Sequence, residues 1–499
     1  MKITISRPFL VALSLLFFAC EAKSQNIEPK YGEYEVGFRV IRTTDNSRVY
    51  KKIGDKEYGP RPMQIYVWYP AKKSNNEVIK LEDYMVLGIT EETLAKPTDG
   101  HYTAALNLYS SITGDAEKTK TLFKHKYKSK DQPSAIDQKF PLILYGAAQS
   151  SSGFGNIRLC EQLASYGYVV VSVASKNYFN RDMPLNIEGA QAHTRDLEFA
   201  YGVMHDFPFV DTKQVGAFGF SFGGLNIINF ALLNPNVKAV VSLDGSIPLG
   251  YGLGIYDSFE LTDTKNLRAD FLAFNGHKFG KERNADGNLK YRMYDEMTFA
   301  NGYVYWLKDM LHTSFSSNNL LFFPKDERVQ RAYTDIANRT VDFMNMKFKG
   351  SKDFEANFKN TSKDLYDEFQ WKAAASGPLV AKKDFIDYVK ENGIDKAKKV
   401  YEETKADFPD YVLFDYDPFR DVGFLFMMKK DFKNALKAYK ILVDAYPTES
   451  DSYRRIGEAY MENEMYDEAK KAFLKGKKLA PDNSAFPNLL KQLEDKRKN

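Results

Sequence analysis

The chain has 499 residues, of which 43% are hydrophobic, and it carries 70 basic and 66 acidic residues for a formal net charge of +4. Its length predicts about three domains of ordinary size, and its apolar content is sufficient for large buried cores. The balanced charge gives no indication of a nucleic-acid partner.

Residues 1–24 have the pattern of a secretory signal peptide. A basic start is followed by an apolar stretch from Phe9 to Ala19, which is too short to span a bilayer, and by a small-residue cleavage site at Ala22-Lys-Ser24. Lipidation of Cys20 is the alternative, and it would tether the chain to a membrane. Under either alternative we expect an exported protein with no internal disulfide, in which Cys160 is a small buried apolar residue.

Residues 28–350 alternate between strands and helices. Strands are predicted at Glu33–Arg42 and Met63–Tyr69, and residues 72–138 read as an insertion with one or two helices, the better one at Thr103–Thr113. Further strands are predicted at Phe140–Leu144, Tyr168–Val173, Val215–Gly219, Val237–Leu243, Ala269–Phe274 and Tyr303–Leu307, and helices at Ile157–Tyr166, His193–His205, Leu225–Leu233 and Asp326–Phe348. This alternation predicts an α/β fold with a mostly parallel sheet covered on both faces.

The most informative stretch is Gly219-Phe220-Ser221-Phe222-Gly223, a G-x-S-x-G pattern. It lies between a predicted strand and a predicted helix, which is the context of a nucleophile elbow. Glycines allow the sharp turn, and the turn would expose the Ser221 hydroxyl while the N–H of Phe222 points at a developing oxyanion. The alternative is a glycine-rich turn with a bystander serine.

A serine nucleophile needs an acid that orients its base. Asp244 follows the strand after the elbow, where a parallel sheet presents functional groups. The rival position, at the end of the next strand, holds Asn275, which cannot serve as an anion. We therefore expect Asp244 to be the acid, with an ordinary Asp-Gly turn as the alternative.

The base should follow the acid in the chain, which leaves two of the six histidines. His277 lies just past one predicted strand, and His312 follows the last one. The end of the last strand is the usual place for the base, so we favour His312. The second oxyanion donor should come from the loop after Leu144, where we nominate the N–H of Ala147; a flexible loop without such a role is the alternative.

Residues 30–350 resemble the platelet-activating-factor acetylhydrolase and dienelactone-hydrolase-like branch of the α/β-hydrolases. The motifs that carry the resemblance are Arg61–Ala71 with its W-Y-P-A ending, Phe218–Gly224, Val241–Gly245 and His312–Ser316. The resemblance implies that Ser221, Asp244 and His312 are nucleophile, acid and base, that Phe222 and Ala147 supply the oxyanion donors, and that no metal or cofactor takes part. The chain has Tyr145-Gly146 where the family often has His-Gly.

A 34-residue period follows residue 378. It relates Gly423 to Gly457, Ala435 to Ala469, Tyr439 to Phe473 and Pro447 to Pro481. This is the period of tetratricopeptide (TPR) repeats, with small residues where two helices cross. We predict two good repeats and a weak earlier one that retains Ala397, Tyr401 and Pro409. The predicted organisation is therefore a signal at 1–24, a hydrolase domain at 28–350, a linker at 351–377 and TPR-like repeats at 378–497.

Two hypotheses of function follow. The first is an exported serine ester hydrolase that forms an acyl-enzyme on a small-molecule or lipid ester, with a short acyl or acetyl group. The second is a protein-interaction module in which the repeats bind a protein partner on a weakly active or inactive hydrolase scaffold. The complete set of Ser, Asp and His favours the first hypothesis.

Overall fold

The computed structural model describes residues 29–51, 58–246, 250–258, 267–276, 282–283, 287–374, 380, 382–409 and 411–498. The predicted signal segment with Cys20, and the rival histidine His277, lie outside the described residues. No helix among those described is long and apolar enough to cross a membrane.

A single mixed sheet organises the first three-quarters of the chain. Its order is β11-β10-β9-β8-β7-β5-β6-β2-β1-β4-β3, and the central strands from β10 to β6 are parallel. The strands are β1 (Glu35–Lys51), β2 (Tyr58–Ala71), β3 (Val78–Lys80), β4 (Lys126–Asp131), β5 (Phe140–Gly146), β6 (Val169–Val173), β7 (Val210–Phe220), β8 (Val237–Leu243), β9 (Asp270–Gly276), β10 (Gly302–Leu307) and β11 (Tyr366–Lys372).

Helices cover both faces of this sheet. They are α1 (Leu81–Ile89), α2 (Asp99–Thr113), α3 (Ala116–Phe123), α4 (Ile157–Ser165), α5 (Ile187–Val203), α6 (Phe222–Leu233), α7 (Gly250–Asp257), α8 (Arg292–Glu296), α9 (Ser317–Phe322), α10 (Glu327–Lys349) and α11 (Asp353–Asn357). Along β5, Ile143 and Tyr145 pack in the core of α4 and α10, while Leu142 and Leu144 pack in the core of α5 and α6. Because successive side chains of a strand point to opposite faces of the sheet, each central strand contributes to two hydrophobic cores. The predicted α/β-hydrolase fold class is confirmed.

Local sequence explains where the long helix α10 begins and ends. The Asp326 side chain accepts a hydrogen bond from the N–H of Val329 at 2.9 Å, which caps the first turn. Gly350 ends the helix in the left-handed region at φ 67°, which costs glycine little. One face of α10 is buried against the sheet, and its more polar face is half-buried over most of its length, in agreement with its amphipathic pattern.

The predictions for two segments of the chain are wrong. Residues 72–138 hold three helices and two strands rather than one or two helices, and β4 pairs with β1. Residues 351–377 are not a plain linker, because β11 pairs antiparallel with β10 and forms the edge of the sheet. The ring of Phe369 lies 4.6 Å from that of Tyr305 on β10. β11 is an edge strand with one exposed face and a polar composition. Its sequence therefore lacks the apolar pattern by which a strand is predicted.

The described residues of the C-terminal part form helices joined by short loops, without a strand. It contains α12 (Phe385–Asn392), α13 (Ile394–Asp407), α14 (Tyr416–Met428), α15 (Phe432–Ala445), α16 (Ser450–Glu462), α17 (Tyr466–Leu479) and α18 (Ala485–Lys498). The hairpin of α14 and α15 is followed by that of α16 and α17. A Cβ on Gly423 would lie 2.3 Å from the Tyr439 ring, and one on Gly457 would lie 2.3 Å from the Phe473 ring. The repeated glycine therefore lets an aromatic ring pack directly on the facing backbone.

The helical region contacts the α/β domain at a small interface. The Phe299 ring packs edge-on against Phe408 and Tyr411, each at 5.8 Å, and the Arg268 guanidinium lies 4.7 Å from the centre of the Phe299 ring. Lys383 donates to the carbonyl of Leu232, near the end of α6. Phe299 precedes β10 and Arg268 precedes β9, so this interface lies at the amino ends of the parallel strands.

The position of β11 determines where the α/β domain can be cut. We expect a chain that ends after Ala374 to fold, and a chain that ends after Ser351 to melt at least about 5 °C lower or to aggregate. The shorter chain exposes the backbone edge of β10 and the buried rings of Tyr305 and Trp306. Thermal melting and size-exclusion chromatography of the two chains provide the comparison. Both truncations uncover Phe299, so equal melting temperatures would show that the segment removed between them, α11 and β11, adds nothing to the fold.

Candidate active site

Ser221 occupies a strained turn between β7 and α6. Its backbone has φ 57° and ψ −125°, a conformation that costs a residue with a side chain on the order of 1–3 kcal/mol. Three backbone hydrogen bonds hold it: the Ser221 N–H donates to Leu243 at 3.1 Å, and the Ser221 carbonyl accepts from Gly224 at 2.9 Å and Ser246 at 3.1 Å. The neighbouring strand β8 and the loop that follows it therefore fix the turn.

The glycines of the G-x-S-x-G pattern allow this turn for a steric reason. A Cβ on Gly219 would lie 2.4 Å from the carbonyl oxygen of Gly223, and a Cβ on Gly223 would lie 2.1 Å from the carbonyl oxygen of Gly146. Both contacts are with backbone, which cannot rotate away. The elbow therefore packs directly against the end of β5.

The structure brings the three predicted residues into one hydrogen-bonded chain. His312 Nε2 lies 2.8 Å from Ser221 Oγ, and His312 Nδ1 lies 2.5 Å from Asp244 Oδ2. If Nδ1 carries the proton and donates it to the carboxylate, Nε2 is free to accept from the serine hydroxyl. The Ser221 side chain makes no bond to its own helix α6, because its hydroxyl is directed to His312.

The two ends of this chain of hydrogen bonds differ in their exposure to solvent. The Asp244 side chain is 1% exposed and that of His312 is 36% exposed. The second carboxylate oxygen of Asp244 accepts the N–H of Gly276 at 2.8 Å. The Phe220 ring lies 5.0 Å from the imidazole. The carboxylate is thus held rigidly in a dry position, and the imidazole and hydroxyl lie at the surface where a substrate can reach them.

The predicted oxyanion donors lie on either side of Ser221. Phe222 is the first residue of α6, so its N–H has no partner within the helix. Ala147 directly follows β5, and the close packing of Gly223 on Gly146 and Ala147 places that backbone beside the elbow. The helix N-terminus also favours negative charge there. Tyr145, just before Gly146, is buried, and its ring stacks on that of Phe218 with the ring centres 4.6 Å apart.

The loop after β5 is held by side chains from distant elements. Gln149 donates to the carbonyl of Met183 at 2.7 Å, and the hydroxyl of Ser150 accepts the N–H of Met183 at 2.9 Å. Ser152 donates at 3.0 Å to the carboxylate of Glu91, a residue of the insertion. These contacts give the glycine- and serine-rich loop a defined path, which its composition does not predict.

A buried charge cluster fixes the next loop, after β6. Arg61 forms a bidentate pair with Asp196 on α5, at 2.7 Å and 2.5 Å, and donates to the carbonyl of Lys176 at 2.9 Å. Burial has the largest single effect on the Asp196 carboxyl and raises its pKa, but the charge and hydrogen bonds of Arg61 together with the charges of Arg48 and Lys176 outweigh it, so the net pKa is lowered. Burial lowers the pKa of the Lys176 ammonium to about 8. Sequence analysis missed this cluster, because Arg61 and Asp196 are far apart in the chain.

Another buried histidine lies outside the site. His193 is fully buried on α5, and its Nδ1 lies 2.9 Å from the side-chain amide of Asn226 on α6. Chain order excluded it as the base, and the structure places it between these two helices. The described residues contain no group of three or more His, Cys, Asp or Glu that could hold a metal ion.

Comparison with known proteins supports the fold. No protein-family model matches the chain, and no curated protein matches it. Among solved structures, the chain is similar to a ferulic acid esterase from Streptomyces cinnamoneus, with 15% sequence identity and a TM-score of 0.51. The match covers 68% of this chain and 99% of the esterase. At this identity the likeness shows a shared fold.

The close packing of the elbow predicts that one methyl group added at Gly223 strongly lowers the stability of the domain. We expect Gly223→Ala to destabilise the domain by several kcal/mol or to prevent folding, because its Cβ meets the Gly146 carbonyl. The control is Gly202→Ala on α5, where a Cβ has no neighbour within 4 Å. It should be neutral or stabilising by up to about 1 kcal/mol. Urea denaturation measures both variants, and a stable Gly223→Ala protein would contradict the close approach.

The buried His193 predicts a pH dependence of stability. Burial lowers the pKa of its imidazole from 6.5 to about 4, so the unfolded chain binds a proton in this range that the folded chain does not. Stability should therefore fall as the pH drops from 6.5 toward 4, by about 2 kcal/mol between pH 7 and pH 5. Urea midpoints at the two pH values measure this. The loss should shrink in His193→Gln and persist in the control His205→Gln, whose side chain is exposed; equal losses in both would refute the assignment.

Proposed function

We propose that this protein is a serine ester hydrolase that uses Ser221 as nucleophile, His312 as base and Asp244 as orienting acid. The observation that carries the proposal is the continuous chain of hydrogen bonds from Asp244 through His312 to a serine on a strained elbow. The fold is shared with an esterase, which agrees with this chemistry.

Each group has a defined task in the reaction. His312 Nε2 accepts the proton as Ser221 Oγ attacks the ester carbonyl, and Asp244 stabilises the imidazolium that forms. The N–H groups of Phe222 and Ala147 donate to the oxyanion of the tetrahedral intermediate. His312 then protonates the leaving alcohol, and an acyl-enzyme remains on Ser221. Water, deprotonated by His312, releases the acid and regenerates the serine.

For substrate and location we propose the classes that the sequence favours. The substrate is a carboxylic ester with a short acyl or acetyl group, phospholipid-like esters included. The protein is exported, with cleavage after residue 24 or a lipid tether at Cys20. We also propose that the helical region consists of TPR repeats, since its hairpins recur with the 34-residue period and its glycines face aromatic rings.

A protein-binding role of the repeats is the second candidate, and one observation favours it. Helix α14 exposes large apolar side chains: Phe424 is 45% exposed, Leu425 53% and Met428 67%. A partner that covers such side chains gains free energy, because apolar surface is removed from water. This role is compatible with an active hydrolase and replaces it only if the enzyme is inactive.

Covalent labelling tests the proposal directly. We expect a fluorophosphonate to label the wild-type protein once and Ser221→Ala not at all, with a nearly unchanged melting temperature. His312→Ala should lower kcat on p-nitrophenyl acetate by roughly 10⁴- to 10⁶-fold, because the hydroxyl then lacks its base. His277→Ala should have a far milder effect.

Three outcomes would count against the mechanism. Labelling that persists in Ser221→Ala would identify another serine as the nucleophile. The reverse ranking of the two histidine variants would move the base to His277. Activity that EDTA abolishes and added metal restores would replace the serine mechanism. Rates across a series of acyl lengths then define the substrate class.

A further inference from the structure

Two loops that carry the proposed chemistry approach each other at the carboxyl edge of the sheet. The first follows β5, from Ala147 to Asn156. The second follows β10 and runs from His312 to Asn318. Side-chain and backbone bonds join the end of the first loop to the second: Ser316 Oγ donates to Gly155 at 2.7 Å, and Asn318 Nδ2 donates to Phe154 at 2.8 Å.

Asn156 lies at the centre of this junction and is fully buried. Its Oδ1 accepts the N–H of Ser317 at 2.9 Å and the hydroxyl of Tyr333, on α10, at 2.9 Å. Its Nδ2 donates to the hydroxyl of Tyr145, on β5, at 3.3 Å. One amide thus connects the strand before the first loop, the start of α9 in the second loop, and the long helix behind both.

The chemistry of an amide suits this position. Both lone pairs of Oδ1 are occupied by donors, and the NH₂ group supplies a donor that a carboxylate lacks. Burial raises the pKa of Tyr333, so its phenol keeps the proton that it donates. Removal of any partner would leave a buried polar group unpaired, so the arrangement favours a single relative position of the two loops.

We infer that Asn156 is a positioning residue that fixes the loop of Ala147 relative to the segment of His312. The inference rests on the proposed function, because those loops carry the oxyanion donor and the base. It assigns a role to Tyr333 and to Tyr145 as the groups that orient the amide. Tyr145 occupies a position where the family that this sequence resembles often has histidine. Here its hydroxyl accepts a hydrogen bond from Asn156, at the end of the first loop.

The expected effect is on turnover rather than on substrate binding. The base and the oxyanion donor must be placed together for the transition state, and a displacement of about 1 Å can cost on the order of 100-fold in rate. A loss that arises in the transition state lowers kcat and leaves KM nearly unchanged. A purely structural role would instead lower the fraction of folded enzyme and leave the turnover of each active site intact.

The chain offers a matched pair of variants. Tyr333→Phe removes a buried tyrosine–asparagine bond that ends on Asn156. Tyr168→Phe removes a partly buried tyrosine–asparagine bond, from Tyr168 to Asn345 Oδ1 on the same helix α10, also at 2.9 Å, away from both loops. The two variants should lose similar thermal stability. Asn156→Ala is the stronger variant of the series.

The experiment measures kcat per active site in the full-length protein, with the number of sites counted by the burst of p-nitrophenol. Tyr333→Phe should lower kcat about 5- to 10-fold and Asn156→Ala about 10- to 100-fold, and KM should stay within a factor of about two of the wild-type value in both. Tyr168→Phe should turn over at the wild-type rate. Equal kcat values for Tyr333→Phe and Tyr168→Phe would overturn the inference even if Asn156→Ala does not fold. A wild-type protein without burst or labelling would overturn the proposed function itself.

Discussion

The backbone of Ser221 is the constraint on which the rest of the site depends. A serine with φ 57° persists only if its surroundings compensate for the strain. The hydrogen bonds to Leu243 and Ser246 and the contact of Gly223 with Gly146 do so, and they require β5 and β8 on either side of β7. The strand order of the sheet is therefore a condition of the site's geometry, since it places Asp244 after one neighbouring strand and the loop of Ala147 after the other.

Polar bonds between distant segments add to apolar packing in shaping the loops at the carboxyl edge of the sheet. Arg61, paired with Asp196, donates to the carbonyl of Lys176 in the loop after β6. Glu91 holds the loop after β5, and Asn156 joins that loop to the segment of His312. Breaking such a buried pair costs about 3–5 kcal/mol when one charged partner is removed. A buried polar network is satisfied in few geometries, so these loops gain a defined position that apolar contacts alone would not give.

Sequence could predict the parts of this protein that short-range patterns encode. The apolar strands, the elbow at Ser221 and the order of Asp244 and His312 follow from local periodicity and spacing, and the structure brings these residues together, although their catalytic roles remain predictions. The edge strand β11 could not be predicted, because one face of it is polar and its pairing with β10 is a long-range property. The Arg61–Asp196 pair and the contacts of Asn156 could not be predicted for the same reason. They join residues that are far apart in the chain, and no local pattern marks either partner.

The place where the helical region attaches has a consequence for how the two parts work. Lys383 bonds to the carbonyl of Leu232 near the C-terminal end of α6, the same helix whose N-terminus follows Ser221. Phe299 and Arg268 also lie before their strands, at the amino edge of the sheet. The α6 helix spans about 18 Å between its ends, so the helical region and Ser221 lie at opposite edges of the domain. A partner bound to the exposed side chains of α14 could therefore be recruited without covering the entrance to Ser221.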